Sequence, residues 1–264
     1  MANAPWTPLP ARLTVALLVA TVAAFGSNAR QIPLSTLPGI GGGSARVLVD
    51  VTAAPWFAVG RLQTELGTFC TGALIGPSTV LTAAHCLAAP GTLRYVQPSS
   101  IHFLLGYSHG EYAAHARGVS FVTGRDETQN TPSAQTVAPS DEDWAVVTLA
   151  SRVARPDRVL PVQFDPPPAG TRLVLGGYEQ DRAHAMVADL DCALLGMARG
   201  AGGRLLLHHS CAGTRGASGG PLLMQQADGS WRIVGIAVTA NVGDAGGHAV
   251  AVGAIDRTLL ANAR

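Results

Sequence analysis

Short apolar runs, rich in Val, Leu and Ile, recur along most of the chain, and clusters of Gly or Pro separate most of them. Runs of this length bounded by turn residues predict β-strands. The candidate strands are RVLVDV, FAVGRLQ, FCTGALIG, TVLTAAHC, IHFLLGY, WAVVTLA, TRLVLGGY, GRLLLHH, PLLMQQ, RIVGIAVTA and HAVAV. At least ten short strands with few helical stretches indicate an all-β sandwich or barrels.

Three stretches differ from this pattern of strands. Asp228-Gly229 in QQADGSWR predicts a turn between two antiparallel strands. The stretch DPPPAG, residues 165–170, is the best candidate for a link between two halves of the chain. Residues 255–263 predict a short C-terminal helix with one Ile and two Leu on the same face.

The N-terminal segment has a mainly apolar run, Leu13–Phe25, behind Arg12. Thirteen residues are too few to span a bilayer comfortably but are typical of a secretory signal. The small residues around Ala29 predict cleavage there. Cleavage after Gly26 is the second choice, and an uncleaved signal anchor is the alternative.

These patterns predict the domain organisation. Residues 1–29 are assigned to a signal peptide, and residues 30–46, rich in Pro, Gly and Ser, to a linker or short pro-segment. Residues 47–264 then form the folded part, which is long enough for one large β domain or two of about 100 residues each.

Charge and composition exclude several classes of protein. The formal net charge is +1 and the basic residues are scattered, so no strong field would attract nucleic acid or an anionic membrane. All 18 basic residues are Arg. The absence of Lys excludes Ser–Lys dyads, Schiff-base lysines and P-loop lysines.

The chain has four cysteines, Cys70, Cys86, Cys192 and Cys211. An even number after a signal segment favours two disulfides in an oxidising compartment. Three pairings are open, of which the sequence-near one closes two loops of comparable size. No C-x-x-C spacing occurs, so we expect no zinc site, and we expect no other metal or cofactor.

The stretch RGASGGP, residues 215–221, surrounds Ser218 with glycines. It satisfies the nucleophile elbow G-x-S-x-G of α/β hydrolases, whereas its ending S-G-G-P points to a different fold. Glycines allow a tight turn in which the N–H groups of Gly216 and Ser218 can face one carbonyl oxygen. Taken alone, the stretch is equally compatible with an ordinary glycine-rich turn.

A serine nucleophile needs a base and an acid that orients the base. Because Lys is absent, the base must be one of eight histidines. His85 stands out, because it follows the strand VLTAA and precedes Cys86. Asp143 in DEDWAVVTL directly precedes an apolar strand that would carry it inward. Asp141 and Glu142 fit a solvated acidic turn, and the other histidines fit ordinary surface or core positions.

The blocks LTAAHC, DWAVV and GASGGP, in this order, resemble the three catalytic blocks of the trypsin/chymotrypsin-like serine peptidases, in particular their bacterial-type members. Three further stretches, FCTGALI, WRIVGIAV and GGHAVAV, extend the resemblance from about Trp56 to Val252. The order His, Asp, Ser excludes subtilisins and α/β hydrolases. Only 46 residues follow Ser218, too few for the rest of an α/β sheet.

The resemblance implies a fold and a set of roles. The fold is two six-stranded antiparallel β-barrels, at about 47–160 and 170–253, with a short C-terminal helix. Ser218 is implied as the nucleophile, His85 as the general base and then acid, and Asp143 as the residue that fixes the tautomer of His85. The oxyanion hole is implied to consist of the backbone N–H groups of Gly216 and Ser218.

The resemblance also implies a function and a setting. The expected protein is a secreted or periplasmic serine endopeptidase that cleaves peptide or protein substrates through an acyl-enzyme. The alternatives are a catalytically silent homologue that binds a partner and an esterase on the same fold. The Cys70–Cys86 pair resembles the family's disulfide beside the histidine. We expect a monomer with no nucleic-acid partner and no stable membrane association after signal cleavage.

The chain departs from many animal members of the family just before the serine. Ala217 stands where those members have an Asp that pairs with a freshly cut N-terminal amine, and no IVGG-like start is visible. The sequence therefore predicts an enzyme that is competent after signal removal, with or without trimming of residues 30–46.

The candidate specificity pocket also departs from trypsin. Ala212 occupies the position that is acidic there, which argues against a preference for Arg or Lys. The candidate pocket residues Ala212, Thr239 and His248 predict a small or apolar substrate side chain. If His248 or His209 faces the pocket, an acidic side chain is favoured instead, as in glutamyl endopeptidases.

Overall fold

The structure, a computed structural model, describes Met1 and residues 36–41, 46–92, 94–124 and 140–261. The described residues after Met1 belong to one compact unit, Ile32–Arg264. The expected signal peptide and its cleavage site lie outside the described residues. Across the ranges given above, no helix is long and apolar enough to cross a membrane.

The described ranges contain thirteen strands and one short α-helix, α1 (Arg257–Ala261). The strands are β1 (Arg46–Leu48), β2 (Val59–Thr64), β3 (Phe69–Gly76), β4 (Thr79–Thr82), β5 (Ile101–Leu105), β6 (Ala114–Thr123), β7 (Ala145–Leu149), β8 (Arg172–Gly177), β9 (Val187–Arg199), β10 (Leu205–His209), β11 (Pro221–Gln225), β12 (Trp231–Ala240) and β13 (Gly247–Ala251).

These strands form two closed barrels. The first has the order β2-β3-β4-β7-β6-β5 and closes where β5 pairs with β2. The second has the order β8-β9-β10-β13-β12-β11 and closes where β11 pairs with β8. Apolar side chains fill both interiors, with Leu62 and Phe103 fully buried in the first and Leu194 and Leu222 in the second. The predicted fold of two six-stranded antiparallel barrels with a short C-terminal helix is confirmed.

Eleven of the thirteen strands coincide with apolar runs of the sequence, and the turn at Asp228-Gly229 joins β11 to β12 as predicted. The sequence did not predict β6 and β9, because polar residues interrupt their apolar pattern. In β9 the interruption is Asp189, which is buried because its carboxylate accepts the N–H groups of Ala212 and Asp191. A buried polar group with its hydrogen bonds made is compatible with a core strand.

The chain passes from the first barrel to the second just before the DPPPAG stretch. The N–H of Leu160 donates to the carbonyl of Leu74 in β3, at 2.9 Å. Three residues later, the N–H of Gln163 donates to the carbonyl of Ile233 in β12, at 2.8 Å. The crossing therefore lies within four residues, and DPPPAG follows it on the side of the second barrel.

The N-terminal part of the described chain differs from two expectations. Residues 36–41, which composition indicated as a linker or pro-segment, pack into the folded body, and Ile40 is 0% exposed. Gly39 makes two backbone hydrogen bonds to segments of the second barrel. Its carbonyl accepts the N–H of Gly213, and its N–H donates to the carbonyl of Asn241. The apolar side chains of this segment drive the packing, and no pattern of Pro and Gly alone could have indicated it.

The second difference concerns the start of the first barrel, which was expected at about residue 47. Strand β1 instead pairs with β9 and so extends the sheet of the second barrel. The first barrel begins with β2, at Val59. A three-residue strand carries no signal for its partner, because pairing depends on the edge it meets in space.

Gly39 provides a test of this packing. Its φ is +79°, and a Cβ there would collide with the carbonyl oxygen of Gly213. Gly67 has a similar φ of +85° but open space around its Cα, so it is a matched control. We expect Gly67→Ala to cost about 1 kcal/mol of unfolding free energy from the positive φ alone. Gly39→Ala should cost about 1–3 kcal/mol more, because it adds a steric clash.

Denaturant unfolding of the two variants measures the difference. Equal losses of unfolding free energy in the two variants would show that residues 36–41 do not pack as described.

Candidate active site

His85 and Asp143 meet because they lie at adjacent ends of two paired strands. Strand β4 ends at Thr82, and Thr82 pairs with Ala145 at the start of β7. His85 lies in the 3₁₀ turn that follows β4, and Asp143 lies two residues before the start of β7. The Asp143 carboxylate accepts the backbone N–H of His85 at 2.9 Å and lies 2.7 Å from its ring Nδ1. The two bonds fix the orientation of the imidazole.

This geometry changes the proton affinity of His85. Desolvation lowers the pKa of His85, but the charge of Asp143 and its hydrogen bond outweigh that effect, so the pKa is raised above its ordinary value. The His85 side chain stays 39% exposed, so its outer ring edge is open to a reacting group.

The disulfides are the two sequence-near pairs, Cys70–Cys86 and Cys192–Cys211. The first joins β3 to the turn that carries His85, as the family resemblance implied. The Sγ of Cys86 lies 3.7 Å from the carbonyl oxygen of Ser218. The residue next to His85 thus contacts the backbone of Ser218 directly.

Thr71 in β3 holds the Ser218 loop, residues 210–220 between β10 and β11, against the first barrel. Its backbone N–H donates to the carbonyl of Ser218 at 2.9 Å, and its hydroxyl donates to the carbonyl of Gly216 at 2.8 Å. The same hydroxyl accepts the N–H of Tyr178 at 2.9 Å. Sequence reasoning missed Thr71, although a hydroxyl inside the buried strand FCTGALIG was a visible signal.

The backbone around Ser218 leaves two donors free. Gly216 has φ +96° and Gly219 has φ +77°, a region that favours glycine. Gly219 donates its N–H to Ala237 in β12. Among the hydrogen bonds of the described residues, none uses the N–H of Gly216 or of Ser218. These two groups are therefore available to a bound oxygen.

The acidic turn before β7 is not solvated at Asp141, contrary to the sequence prediction. Asp141 is 0% exposed, and its carboxylate accepts the N–H groups of Gly202 and Arg204, both at 2.6 Å. These donors lie in the turn between β9 and β10 of the second barrel. Asp141 therefore binds the two barrels together two residues away from Asp143.

A cleft of about 230 Å³ opens beside Ser218. Its lining consists of Pro38, Leu175, His209, Gly213, Thr214, Arg215, Ala217, Ser218, Ala237, Val238, Thr239 and Ala240. Of the candidate pocket residues, Thr239 lines this cleft, and Ala212 and His248 are not part of its lining. The N–H of Ala212 is turned to Asp189, and the ring of His248 stacks on His208, with centroids 5.0 Å apart.

His209 is a buried polar residue of this cleft. It is 1% exposed, and neither ring nitrogen has a hydrogen-bond partner among the described residues. Burial, with the neighbouring His248 and His208, lowers the pKa of His209 to about 3. The ring is therefore neutral at pH 7 and adds no charge to the cleft.

The raised pKa of His85 is directly testable by NMR. Its ring protons should titrate at a pH above the ordinary value of about 6.5. Asp143→Asn removes the charge that raises the pKa, so the His85 titration should move to lower pH. His115, whose pKa is lowered mainly by desolvation, is the internal control and should not move. An unchanged His85 titration in Asp143→Asn would contradict the described pairing.

Known proteins resemble this chain in sequence and in fold. The family model for trypsin matches residues 44–255. A cercarial protease from Schistosoma mansoni is 33% identical over 123 residues, which cover 43% of this chain and 45% of that protein. The chain thus spans less than half of the length of this relative.

Two solved structures share the fold. A Glu endopeptidase in complex with MPD has a TM-score of 0.66 at 18% identity, over 84% of this chain and 97% of the other. The Rv3671c protease in an inactive form has a TM-score of 0.53 at 19% identity, over 81% and 92%. The two barrels and the match over residues 44–255 together establish that this chain belongs to the trypsin family.

Proposed function

We propose that the protein is a serine endopeptidase that hydrolyses peptide bonds through an acyl-enzyme. The observation that carries this proposal is the His85–Asp143 pair, which is joined by two hydrogen bonds and lies on a turn whose Cys86 contacts the backbone of Ser218. Ser218 itself is followed by glycine and has two free backbone donors beside it. Membership of the trypsin family and the partial match to a cercarial protease support it.

The proposed mechanism assigns one task to each group. The Oγ of Ser218 attacks the scissile carbonyl carbon while the Nε2 of His85 takes its proton. Asp143 holds Nδ1–H and stabilises the imidazolium that forms. The N–H groups of Gly216 and Ser218 donate to the oxyanion of the tetrahedral intermediate. His85 then protonates the leaving amine. In the second half of the reaction, water attacks the acyl carbon while His85 takes its proton, and His85 then returns this proton to the Oγ of Ser218.

A serine-reactive phosphonate tests this assignment. We expect the wild type to be labelled at Ser218, and Ser218→Ala to lose labelling together with about 10⁴–10⁶-fold of its peptide hydrolysis rate. Ser230→Ala, in the turn between β11 and β12, is the matched control and should keep both.

Two outcomes separate the alternatives. A wild type that neither reacts with the phosphonate nor cleaves peptides would favour a catalytically silent binding protein. Labelling at Ser218 with hydrolysis of esters but not of peptides would favour an esterase.

For specificity, we propose that the cleft beside Ser218 accepts a small or apolar side chain. Its lining is mostly apolar, with Leu175, Ala217, Ala237, Val238 and Ala240. The charged residue of the lining, Arg215, is exposed, and the buried His209 is neutral. Glutamate recognition, as named for the Glu endopeptidase of similar fold, would require a cation or hydrogen-bond donors directed into the cleft, whereas Arg215 is exposed and His209 is buried and neutral.

Cleavage of a peptide library measures this preference. We expect small or apolar residues before the scissile bond, and little cleavage after Arg. Ala240→Leu narrows the cleft and should reduce cleavage after large apolar residues about tenfold or more, relative to cleavage after Ala. A dominant preference for Glu would overturn the proposal, and the effect of His209→Ala would then show whether His209 or another group recognises the carboxylate.

We further propose that the protein works outside the reducing cytosol. Two disulfides close the segments around His85 and around the loop before Ser218. Disulfides persist in oxidising compartments. The proposed partners are peptide or protein substrates, and the proposed state is a monomer.

A further inference from the structure

Arg46 lies in a buried ion cluster at the edge of the second barrel. Its guanidinium hydrogen-bonds Glu179 and binds both carboxylate oxygens of Asp181, at 3.0 and 2.9 Å. The side chains of Arg46 and Glu179 are 3% and 1% exposed. A carboxylate buried to this degree needs a paired cation and hydrogen-bond donors to remain charged.

Glu179 connects this cluster to the loop that leads to Ser218. The carboxylate oxygen that faces Arg46 also accepts the N–H of Thr214 at 2.8 Å. The next residue, Gln180, binds the same loop through its N–H to the carbonyl of Arg215 and through its amide to the hydroxyl of Thr214. Thr214 and Arg215 lead directly into Gly216, the first candidate oxyanion donor.

The Ser218 loop carries no acid of its own. Ala217 is 4% exposed, and its methyl group can pair with no amine. In the described part of the chain, two buried carboxylates bind the backbone that precedes Ser218, namely Asp189 at Ala212 and Glu179 at Thr214. Of these two, Glu179 is the one bound to a cation and the one nearer to Gly216.

We propose that Arg46, acting through Glu179, is the positioning residue that orders the Thr214–Gly216 backbone and so forms the oxyanion hole without a newly cut N-terminus. The inference rests on the proposed peptidase function. The charge that orders the loop belongs to the side chain of Arg46, so it is present as soon as the chain folds. This explains how a chain with Ala217 can hold its candidate oxyanion donors in place.

The electrostatics of Glu179 make Arg46 necessary. Burial raises the pKa of Glu179 to about 7, although Arg46 and the Thr214 N–H lower it, so the carboxyl is mainly charged only above that pH. The charged groups that face Glu179 are Arg46 on β1 and Asp181 on its own loop. Without Arg46, burial and Asp181 both favour protonation of Glu179. A neutral carboxyl is a weaker acceptor for the Thr214 N–H, so the loop loosens.

The test compares three full-length variants, Arg46→Gln, Glu179→Gln and Asp181→Asn. Asp181→Asn is the matched control. It removes the ion pair between Asp181 and Arg46, whereas the hydrogen bond to the Ser218 loop is made by Glu179. For a peptide substrate we expect Arg46→Gln and Glu179→Gln to lower kcat by about 10²-fold or more while KM changes by only about threefold. Asp181→Asn should keep kcat within about threefold of the wild type, because the Glu179–Thr214 bond remains.

Two further measurements separate positioning from general stability. Hydrogen exchange of the Thr214 amide should be faster in Glu179→Gln than in the wild type or Asp181→Asn. Arg46→Lys keeps the charge but not the planar fork, so it should recover part of the kcat lost in Arg46→Gln. If Arg46→Gln does not fold, Glu179→Gln is compared with Asp181→Asn instead, because Glu179→Gln keeps the size and shape of the side chain.

The outcomes are distinct from those of the proposed function. Unchanged kcat and unchanged Thr214 exchange in Glu179→Gln would overturn the role of the cluster, and so would an equal loss of kcat in Asp181→Asn. A wild type that does not react with the phosphonate would instead refute the peptidase proposal. In that case the exchange rates still decide whether Arg46 and Glu179 order the loop.

Discussion

The hydrogen bonds of Thr71 are the constraint on which the geometry around Ser218 depends. A hydroxyl has one proton to donate and two lone pairs, and Thr71 uses its proton for Gly216 and a lone pair for Tyr178. Its N–H reaches Ser218, and its carbonyl accepts the hydroxyl of Thr82. One residue of the first barrel thereby sets the position of two segments of the second. The disulfide of the neighbouring Cys70 joins the turn that carries His85 to the same strand. Strand β3 therefore positions both His85 and Ser218.

Much of the fold and of the site was predictable, because local patterns carry it. Short apolar runs predicted eleven strands, and three ordered blocks identified His85, Asp143 and Ser218 as candidates. What the sequence did not predict depends on partners that are distant along the chain. Strand β9 was missed because its inward-facing Asp189 breaks the apolar pattern, and its hydrogen bond to Ala212 exists only after folding. The surroundings of His248 were not predictable either, because its ring stacks on His208 of a neighbouring strand, a contact that exists only after folding.

Three buried carboxylates perform a common task in loops of the second barrel. Asp141, Glu179 and Asp189 each accept backbone N–H groups of loops that no sheet could satisfy. A buried backbone N–H without a hydrogen-bond partner costs free energy. A buried carboxylate that accepts this N–H therefore stabilises a loop whose backbone has no partner in a sheet. Their sequence signal is weak, since an acidic residue is most often exposed. This is why Asp141 was expected in a solvated turn.

The pairing of β1 with β9 also affects the order in which the protein can fold. Arg46 and Glu179 are 133 residues apart in the chain, and the whole first barrel lies between them. On a ribosome, β1 emerges before any of its partners exist, and it must wait until the first half of the second barrel has been synthesised. Contacts this far apart slow folding, because a long loop must close before they form. The first strand of the described chain is therefore among the last elements to be secured.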